Sequence, residues 1–132
     1  MSATKIPIRW RDLDALGHVN AVVFLTYLEE GRNVWLREVL GEQFGPEQWV
    51  LARVEIDFRA EIPLQIGYVQ TTHELESLGR SSVTLAERLI DNDATTLADA
   101  RVVLAMWDPE ERRSRPITEA EREAFSPLTV TR

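Results

Sequence analysis

The feature that most constrains the fold is one long stretch of helical periodicity, from Asn20 to Gly41. Residues recur there at spacings of three or four, as on a helix with one buried stripe: Phe24, Tyr27, Leu28, Gly31, Trp35 and Val39. We expect Asn20 to cap this helix and Gly41 to end it in the left-handed conformation. Because Gly31 is a poor helix former on the apolar stripe, we expect a neighbouring element to pack tightly against that turn.

The residues after the helix change to a period of two, which indicates strands. Segment 53–59 (RVEIDFR) predicts a strand with one wet face. Segments 68–78, 81–90 and 96–107 repeat the alternation, and the short turns LGRS and DNDA suit antiparallel hairpins. With 6–10 (IPIRW) as a first strand, the order is strand, helix and a meander of four strands. We predict an α+β domain whose five-stranded antiparallel sheet wraps around one long central helix.

The chain has the size of one domain, and we predict a single domain over residues 1–132. After Trp107, the charged segment DPEERRSRP leads to a short helix. Thr118 and Glu121 have the spacing of a capping box at its start. We expect this C-terminal tail to be peripheral to the core.

The composition argues against several classes of function. There is no cysteine, and the only histidines are His18 and His73, so we predict no metal and no redox cofactor. His73 falls on an apolar face of its strand and is expected to be an interior or interface residue. A net charge of −7 argues against nonspecific binding to nucleic acid or to anionic membranes. Export and membrane-spanning patterns are absent, so we expect a cytoplasmic protein.

The cationic residues are almost all arginine, since Lys5 is the only lysine among 15. Arginines occur at Arg80 and in the run Arg112, Arg113 and Arg115. Guanidinium groups suit phosphate contacts. The alternative for each of them is a solvated surface arginine paired with a carboxylate.

A motif before the helix carries a resemblance to a known family. It consists of Arg9, Asp12, Asp14 and the run Gly17–Asn20, followed in the helix by Tyr-Leu-Glu-Glu and Arg32. Together with the turn Gly-Arg-Ser-Ser at 79–82, it resembles the hotdog-fold thioesterases of the 4-hydroxybenzoyl-CoA thioesterase type. The resemblance implies a hotdog fold, hydrolysis of acyl-CoA, and a homodimer or homotetramer with sites between subunits. Three positions differ from the common pattern: Ala21, Phe24 and Gly31.

Asp14 is the predicted catalytic carboxylate. A helix start offers unpaired N–H groups and a partial positive charge of about +0.5, which suit a developing oxyanion. We therefore predict that a thioester oxygen binds the N–H near Ala21 while Asp14 attacks the carbonyl carbon or aligns a water. An aspartate with the usual pKa of ~3.9 is a weak base at neutral pH, which slightly favours nucleophilic attack, or else an aspartate whose pKa is raised by burial.

The other candidate residues have weaker assignments. His18 either contacts the substrate, as a catalytic residue, or braces the loop. Gly17 permits a positive φ or a close approach of substrate, and Asn20 is mainly a cap. Asp12 is expected to hydrogen-bond the loop backbone.

Glu30 could activate water or bind substrate, but pairing with Arg32 or another nearby arginine is the favoured alternative. Arg80 and Ser81, in the turn, are predicted to help hold the CoA phosphates.

Two other functions are compatible with the same sequence. One is a noncatalytic module on the same fold that binds acyl-CoA or an acyl carrier, because fold does not fix function. The other is a hotdog dehydratase or hydratase, which ranks last because the chain lacks a D-x-N-P-x-H loop.

Overall fold

The computed structural model describes residues 3–128, in which the long predicted helix is present as α1 (Ala21–Leu40). The strands of this part of the chain are β1 (Thr4–Pro7), β2 (Trp49–Phe58), β3 (Tyr68–Leu78), β4 (Ser82–Ile90), β5 (Thr96–Asp108) and β6 (Arg113–Ser114). A second, short helix, α2 (Glu119–Phe125), continues into a 3-10 turn. β1 ends earlier than predicted, because Trp10–Asp12 form a 3-10 turn instead of strand.

The sheet is antiparallel and has the order β1-β3-β4-β5-β2, with the two-residue β6 pairing on β5. The prediction of a five-stranded antiparallel sheet is confirmed for the main strands, but the predicted four-strand meander is wrong. β2 pairs with β5 at the far edge and does not pair with β3. The connection from β2 to β3 instead crosses the beginning of α1, where Val19 N–H donates to Ile62 O at 2.8 Å.

Helix α1 packs against β1, β3 and β4, and its buried side chains form the core with the inner face of the sheet. The Asn20 side chain accepts the Val22 N–H at 3.0 Å, which confirms the predicted cap. Gly41 ends the helix with a φ of 104° and a ψ of 160°. The positive φ was expected, but the extended ψ means that the residue is not in the left-handed helical conformation.

The tight packing predicted at Gly31 is confirmed, since Thr71 of β3 lies directly against that turn of α1. Below it is a buried polar network. His73 hydrogen-bonds Thr71 and Glu87, and the Glu87 carboxylate is held by both Arg32 Nε and Arg32 Nη2. His73 is only 1% exposed, so it is an interior residue.

Strand β2 was predicted to have one solvent-exposed face, but most residues on both of its faces are exposed. Leu51 is 43% exposed and Phe58 is 49% exposed, while Val54 and Ile56 are half-buried. The reason is its position at the edge of the sheet, beyond the part that α1 covers. Among the strands of residues 3–128, β2 therefore has one edge without a partner, together with exposed apolar side chains.

The C-terminal tail contributes to the core, contrary to expectation. The predicted capping box is present at the start of α2: Thr118 accepts the Glu121 N–H, and the Glu121 carboxylate accepts the Thr118 N–H. Phe125 is fully buried, with its ring centroid 6.3 Å from that of Trp35 in α1. Neither helix in residues 3–128 is long and apolar enough to cross a membrane.

Candidate active site

The segment between β1 and α1 folds back on itself as a short hairpin, which brings several predicted site residues together. Asn20 N–H donates to Asp12 O at 2.9 Å, and Asp14 N–H donates to His18 O at 2.8 Å. Gly17 has a φ of 82°, which favours glycine. The positive φ expected at Gly17 is therefore present, and a substrate contact there stays a prediction.

The Asp14 side chain is exposed beside the start of α1. Its Oδ1 accepts the Leu16 N–H at 2.9 Å and the His18 N–H at 3.3 Å. Within residues 3–128, Oδ2 has no hydrogen-bond partner. One oxygen of the carboxylate is thus fixed by the loop backbone, and the other is available for chemistry.

The start of α1 provides a backbone donor next to this carboxylate. Asn20 occupies the cap and satisfies the Val22 N–H. Ala21 is the first helical residue, and its N–H has no acceptor among the described residues. The unpaired N–H and the positive end of the helix dipole together favour a negatively charged oxygen at this point.

A groove of about 400 Å³ opens between the loop and the end of β2, and Asp14 and Ala21 lie on its wall. Its apolar side includes Phe24 and Phe58, whose rings meet edge to face with centroids 5.2 Å apart. This volume lies near the lower end for small-molecule sites. The groove is suited to a small, partly apolar group.

His18 lines the same groove and forms a side-chain contact that the sequence did not reveal. Its Nδ1 lies 3.2 Å from Glu61 Oε2, and its backbone pairs with Pro63. Glu61 was not a candidate, because its approach depends on the unpredicted crossing of the β2–β3 connection past α1. In residues 3–128, no three histidine or acidic side chains are arranged to hold a metal ion.

Glu30 lies away from this groove. It is the tenth residue of α1, so it stands about 13 Å along the helix from Ala21. Its carboxylate accepts two hydrogen bonds from Arg9 Nη2, at 3.0 and 3.1 Å. The favoured pairing with an arginine is therefore present, but the partner is Arg9, because Arg32 is occupied by Glu87.

Arg80 and Ser81 lie at the opposite end of the sheet from Asp14. They follow β3, whose 11 residues span roughly 36 Å from the end that pairs with β1. The Arg80 side chain is exposed, and Arg80 O accepts the Ile117 N–H at 2.9 Å. One copy of the chain does not bring Arg80 to the Asp14 groove, and its phosphate contact stays a prediction.

Comparison with known proteins identifies the family. The model of the thioesterase-like superfamily matches residues 8–125, and the chain belongs to that superfamily. A thioesterase from Thermus thermophilus, solved with coenzyme A and Zn, is 32% identical with a TM-score of 0.84, covering 96% of this chain and 92% of that one. The predicted class of enzyme, a thioester hydrolase, is thereby confirmed.

Two more distant structures support the fold alone. A predicted thioesterase from Bacillus stearothermophilus is 22% identical, with a TM-score of 0.84 over 98% of this chain and 97% of that one. A Staphylococcus aureus protein in complex with CoA is 14% identical, with a TM-score of 0.83 over 98% of this chain and 87% of that one. No curated protein matches this sequence.

Proposed function

We propose that this chain is an acyl-CoA thioesterase of the 4-hydroxybenzoyl-CoA thioesterase type, acting in the cytoplasm as a single domain of residues 1–132. The observation that carries the proposal is the groove in which the Asp14 carboxylate, the free Ala21 N–H and an aromatic wall meet. A thioester needs these three elements: an attacking or activating group, an oxyanion donor and a surface for the acyl group.

The chemistry begins with the thioester carbonyl oxygen on the Ala21 N–H, where the helix dipole favours the charge that develops. In the nucleophilic route, the free oxygen of Asp14 bonds to the carbonyl carbon and the CoA thiolate leaves. Water then hydrolyses the mixed anhydride to the free acid and restores Asp14. In the general-base route, Asp14 takes a proton from a water that attacks the same carbon, the C–S bond breaks so that CoA leaves and the free acid forms, and Asp14 then releases its proton to solvent.

His18 has a defined place in this proposal. The Glu61 carboxylate lies 3.2 Å from Nδ1, and Nε2 is then the ring nitrogen that exchanges a proton at the groove. Nε2 would deliver the proton that the departing CoA sulfur takes up. Glu61 therefore acts on the reaction through the orientation of His18.

A second copy of the chain is part of the proposal. The open edge and apolar surface of β2, with Leu51 and Phe58 exposed, support a homodimer or a homotetramer built from such dimers. If two copies associate antiparallel along β2, the turn carrying Arg80 and Ser81 of one approaches the Asp14 end of the other. Those residues would then hold the CoA phosphates across the interface.

An assay of acyl-CoAs of different acyl length and type tests the function, with a thiol reagent detecting the released CoA. We expect turnover of at least one substrate, accompanied by release of free acid. Saturable binding of acyl-CoA without thiol release would favour the noncatalytic module instead. Neither binding nor turnover with any acyl-CoA would refute both.

A further inference from the structure

Asp12 is buried next to the catalytic loop and bonds to the helix that the loop precedes. Asp12 is only 6% exposed, and Tyr27, in the second turn of α1, is fully buried. Tyr27 O–H donates to Asp12 Oδ2 at 2.6 Å. That distance is typical of a charge-assisted bond between a hydroxyl and a carboxylate.

The backbone of Asp12 and its Oδ2 all form hydrogen bonds. Oδ2 also accepts the Arg9 N–H at 2.9 Å, and the Asp12 N–H donates to Arg9 O at 2.9 Å. Asp12 O accepts the Asn20 N–H, which closes the base of the hairpin that carries Asp14. Asp12 thus connects three things: the end of β1, the helix cap and the catalytic loop.

We infer that Asp12 and Tyr27 are positioning residues, whose hydrogen bond fixes the Asp14 carboxylate relative to the Ala21 N–H. The inference rests on the proposed function and adds two residues that act through the loop without touching substrate. If the bond is lost, the base of the hairpin is free to shift relative to α1. A misplacement of about 1 Å between reacting groups can lower a rate by roughly 10²-fold.

The hydrogen bond from Tyr27 to Asp12 persists across the physiological pH range, because the tyrosine hydroxyl stays protonated. Burial raises the pKa of Tyr27 above its ordinary value, and the hydrogen bond to Asp12 raises it further. The Tyr27 hydroxyl therefore remains the donor to Asp12 Oδ2. Arg9, whose guanidinium binds Glu30 one turn further along α1, links the same end of β1 to the helix.

The substitution Tyr27→Phe removes one hydroxyl and keeps the buried ring, so it tests the bond directly. Tyr68→Phe is the matched control, because the other tyrosine of the chain lies in β3 with its ring against Lys5. We expect Tyr27→Phe to lower kcat about 10- to 100-fold while KM changes less than about 3-fold. Tyr68→Phe should match the wild type in both constants.

Two further variants separate positioning from simple stabilisation. Asp12→Asn retains an oxygen that can accept from Tyr27 and should keep more activity than Asp12→Ala. Adding Tyr27→Phe to Asp12→Ala should cause little further loss, because the bond is already absent. If the two losses multiply instead, the residues act independently and the inference is wrong.

Amide hydrogen exchange gives a readout that does not depend on turnover. In Tyr27→Phe, the Asp14 and Asn20 amides should exchange about 10- to 100-fold faster, with β4–β5 amides unchanged. Unchanged loop protection overturns the inference, as does faster exchange with an unaltered kcat. If the wild type hydrolyses no acyl-CoA, the proposed function fails and the inference fails with it. A wild type that is active and a Tyr27→Phe variant with wild-type kcat overturn the inference alone.

Discussion

Thr71 of β3 occupies the space that a side chain at Gly31 of α1 would need. A Cβ added at Gly31 would lie 1.8 Å from Thr71 Oγ1 and 2.8 Å from His73 Nε2. Thr71 Oγ1 is itself 2.9 Å from His73 Nε2, so it cannot rotate away without losing that hydrogen bond. The glycine is therefore required by the packing of the helix on the sheet and by the polar network beneath it.

We predict that Gly31→Ala destabilises the protein despite the better helix propensity of alanine. The propensity gain is up to about 1 kcal/mol, whereas overpacking costs about 1–3 kcal/mol. Because the clash with Thr71 is so close, we take the upper end of the overpacking range. We therefore expect the free energy of unfolding, measured with urea, to fall by about 1–2 kcal/mol. Adding Thr71→Ala removes the nearest atom and should recover part of the loss. An equal loss in the double variant would show that Thr71 is not the obstacle.

The network below Gly31 gives a prediction for Glu87. Arg32 donates to it from Nε at 2.8 Å and from Nη2 at 2.6 Å, and His73 Nδ1 lies 2.8 Å away. Both members of the Arg32–Glu87 pair are almost completely buried. Glu87→Gln leaves the Arg32 charge without its partner, so we expect a loss of about 3–5 kcal/mol near pH 7. A loss below about 1 kcal/mol would mean that the pair contributes little.

The same pair predicts how the loss changes with pH. Burial alone would raise the pKa of Glu87, but hydrogen bonds from Arg32 and His73 outweigh it and leave the pKa below its ordinary 4.5. A lowered folded-state pKa gives stability that is present above about pH 4.5 and is lost as the pH falls through the folded-state value. Urea unfolding at several pH values should therefore show the difference between wild type and Glu87→Gln shrinking only below about pH 4.5.

Local patterns in the sequence were enough to predict α1, its Asn20 cap and the strands of the β3–β5 hairpins. These features depend on periodicity, capping and short turns, which involve neighbouring residues. The place of β2 was predicted wrongly, because an alternating strand can pair with either of two edges. The burial of Phe125 was missed for a similar reason, since only the folded chain brings α2 against Trp35.

The candidate site divides in the same way. Asp14, Gly17 and Ala21 were predicted as a group because the motif places them close together at a helix start. Glu61 and Tyr27 were missed, because each reaches the loop through a contact between distant parts of the chain. Sequence spacing carries no signal for such contacts until the strand order is known.

The open β2 strand predicts self-association. We expect the wild type to sediment as a dimer or tetramer at micromolar concentration, and Leu51→Lys to shift it toward the monomer. A lysine on the exposed strand opposes strand-to-strand association through charge and desolvation. Ala120→Lys, at an exposed position of α2, adds the same charge elsewhere and serves as the control. A wild-type monomer would rule out a site shared between subunits.

Arg80 tests whether the distant turn binds CoA phosphates. We expect Arg80→Ala to raise KM for acyl-CoA about 3- to 10-fold with little change in kcat. The reason is that a phosphate contact would stabilise the bound substrate and the transition state equally. The dependence of KM on salt should weaken, because one screened charge pair is removed. Arg88→Ala, in which another exposed arginine is removed from β4, should leave both properties unchanged. If Arg80→Ala behaves like that control, Arg80 is a solvated turn residue.

Asp14→Asn is the most direct test of the catalytic assignment. The amide keeps the size of the side chain and an oxygen for the Leu16 and His18 N–H groups, so the loop and CoA binding should persist. It removes the charge that a nucleophile or general base requires. Since the Ala21 N–H remains, we expect kcat to fall about 10²–10⁴-fold with a much smaller change in KM.

Glu30→Gln provides the comparison, because Glu30 is a carboxylate of α1 that binds Arg9 away from the groove. We expect Glu30→Gln to lower kcat less than about tenfold. Loss of a general base usually lowers kcat at least about 10²-fold, so a smaller effect separates the two roles. Abolished turnover in Glu30→Gln with near-full activity in Asp14→Asn would move the catalytic carboxylate to the helix. Full activity in both variants would show that neither carboxylate takes part in hydrolysis, and the assignment of Asp14 as the catalytic group would then be wrong.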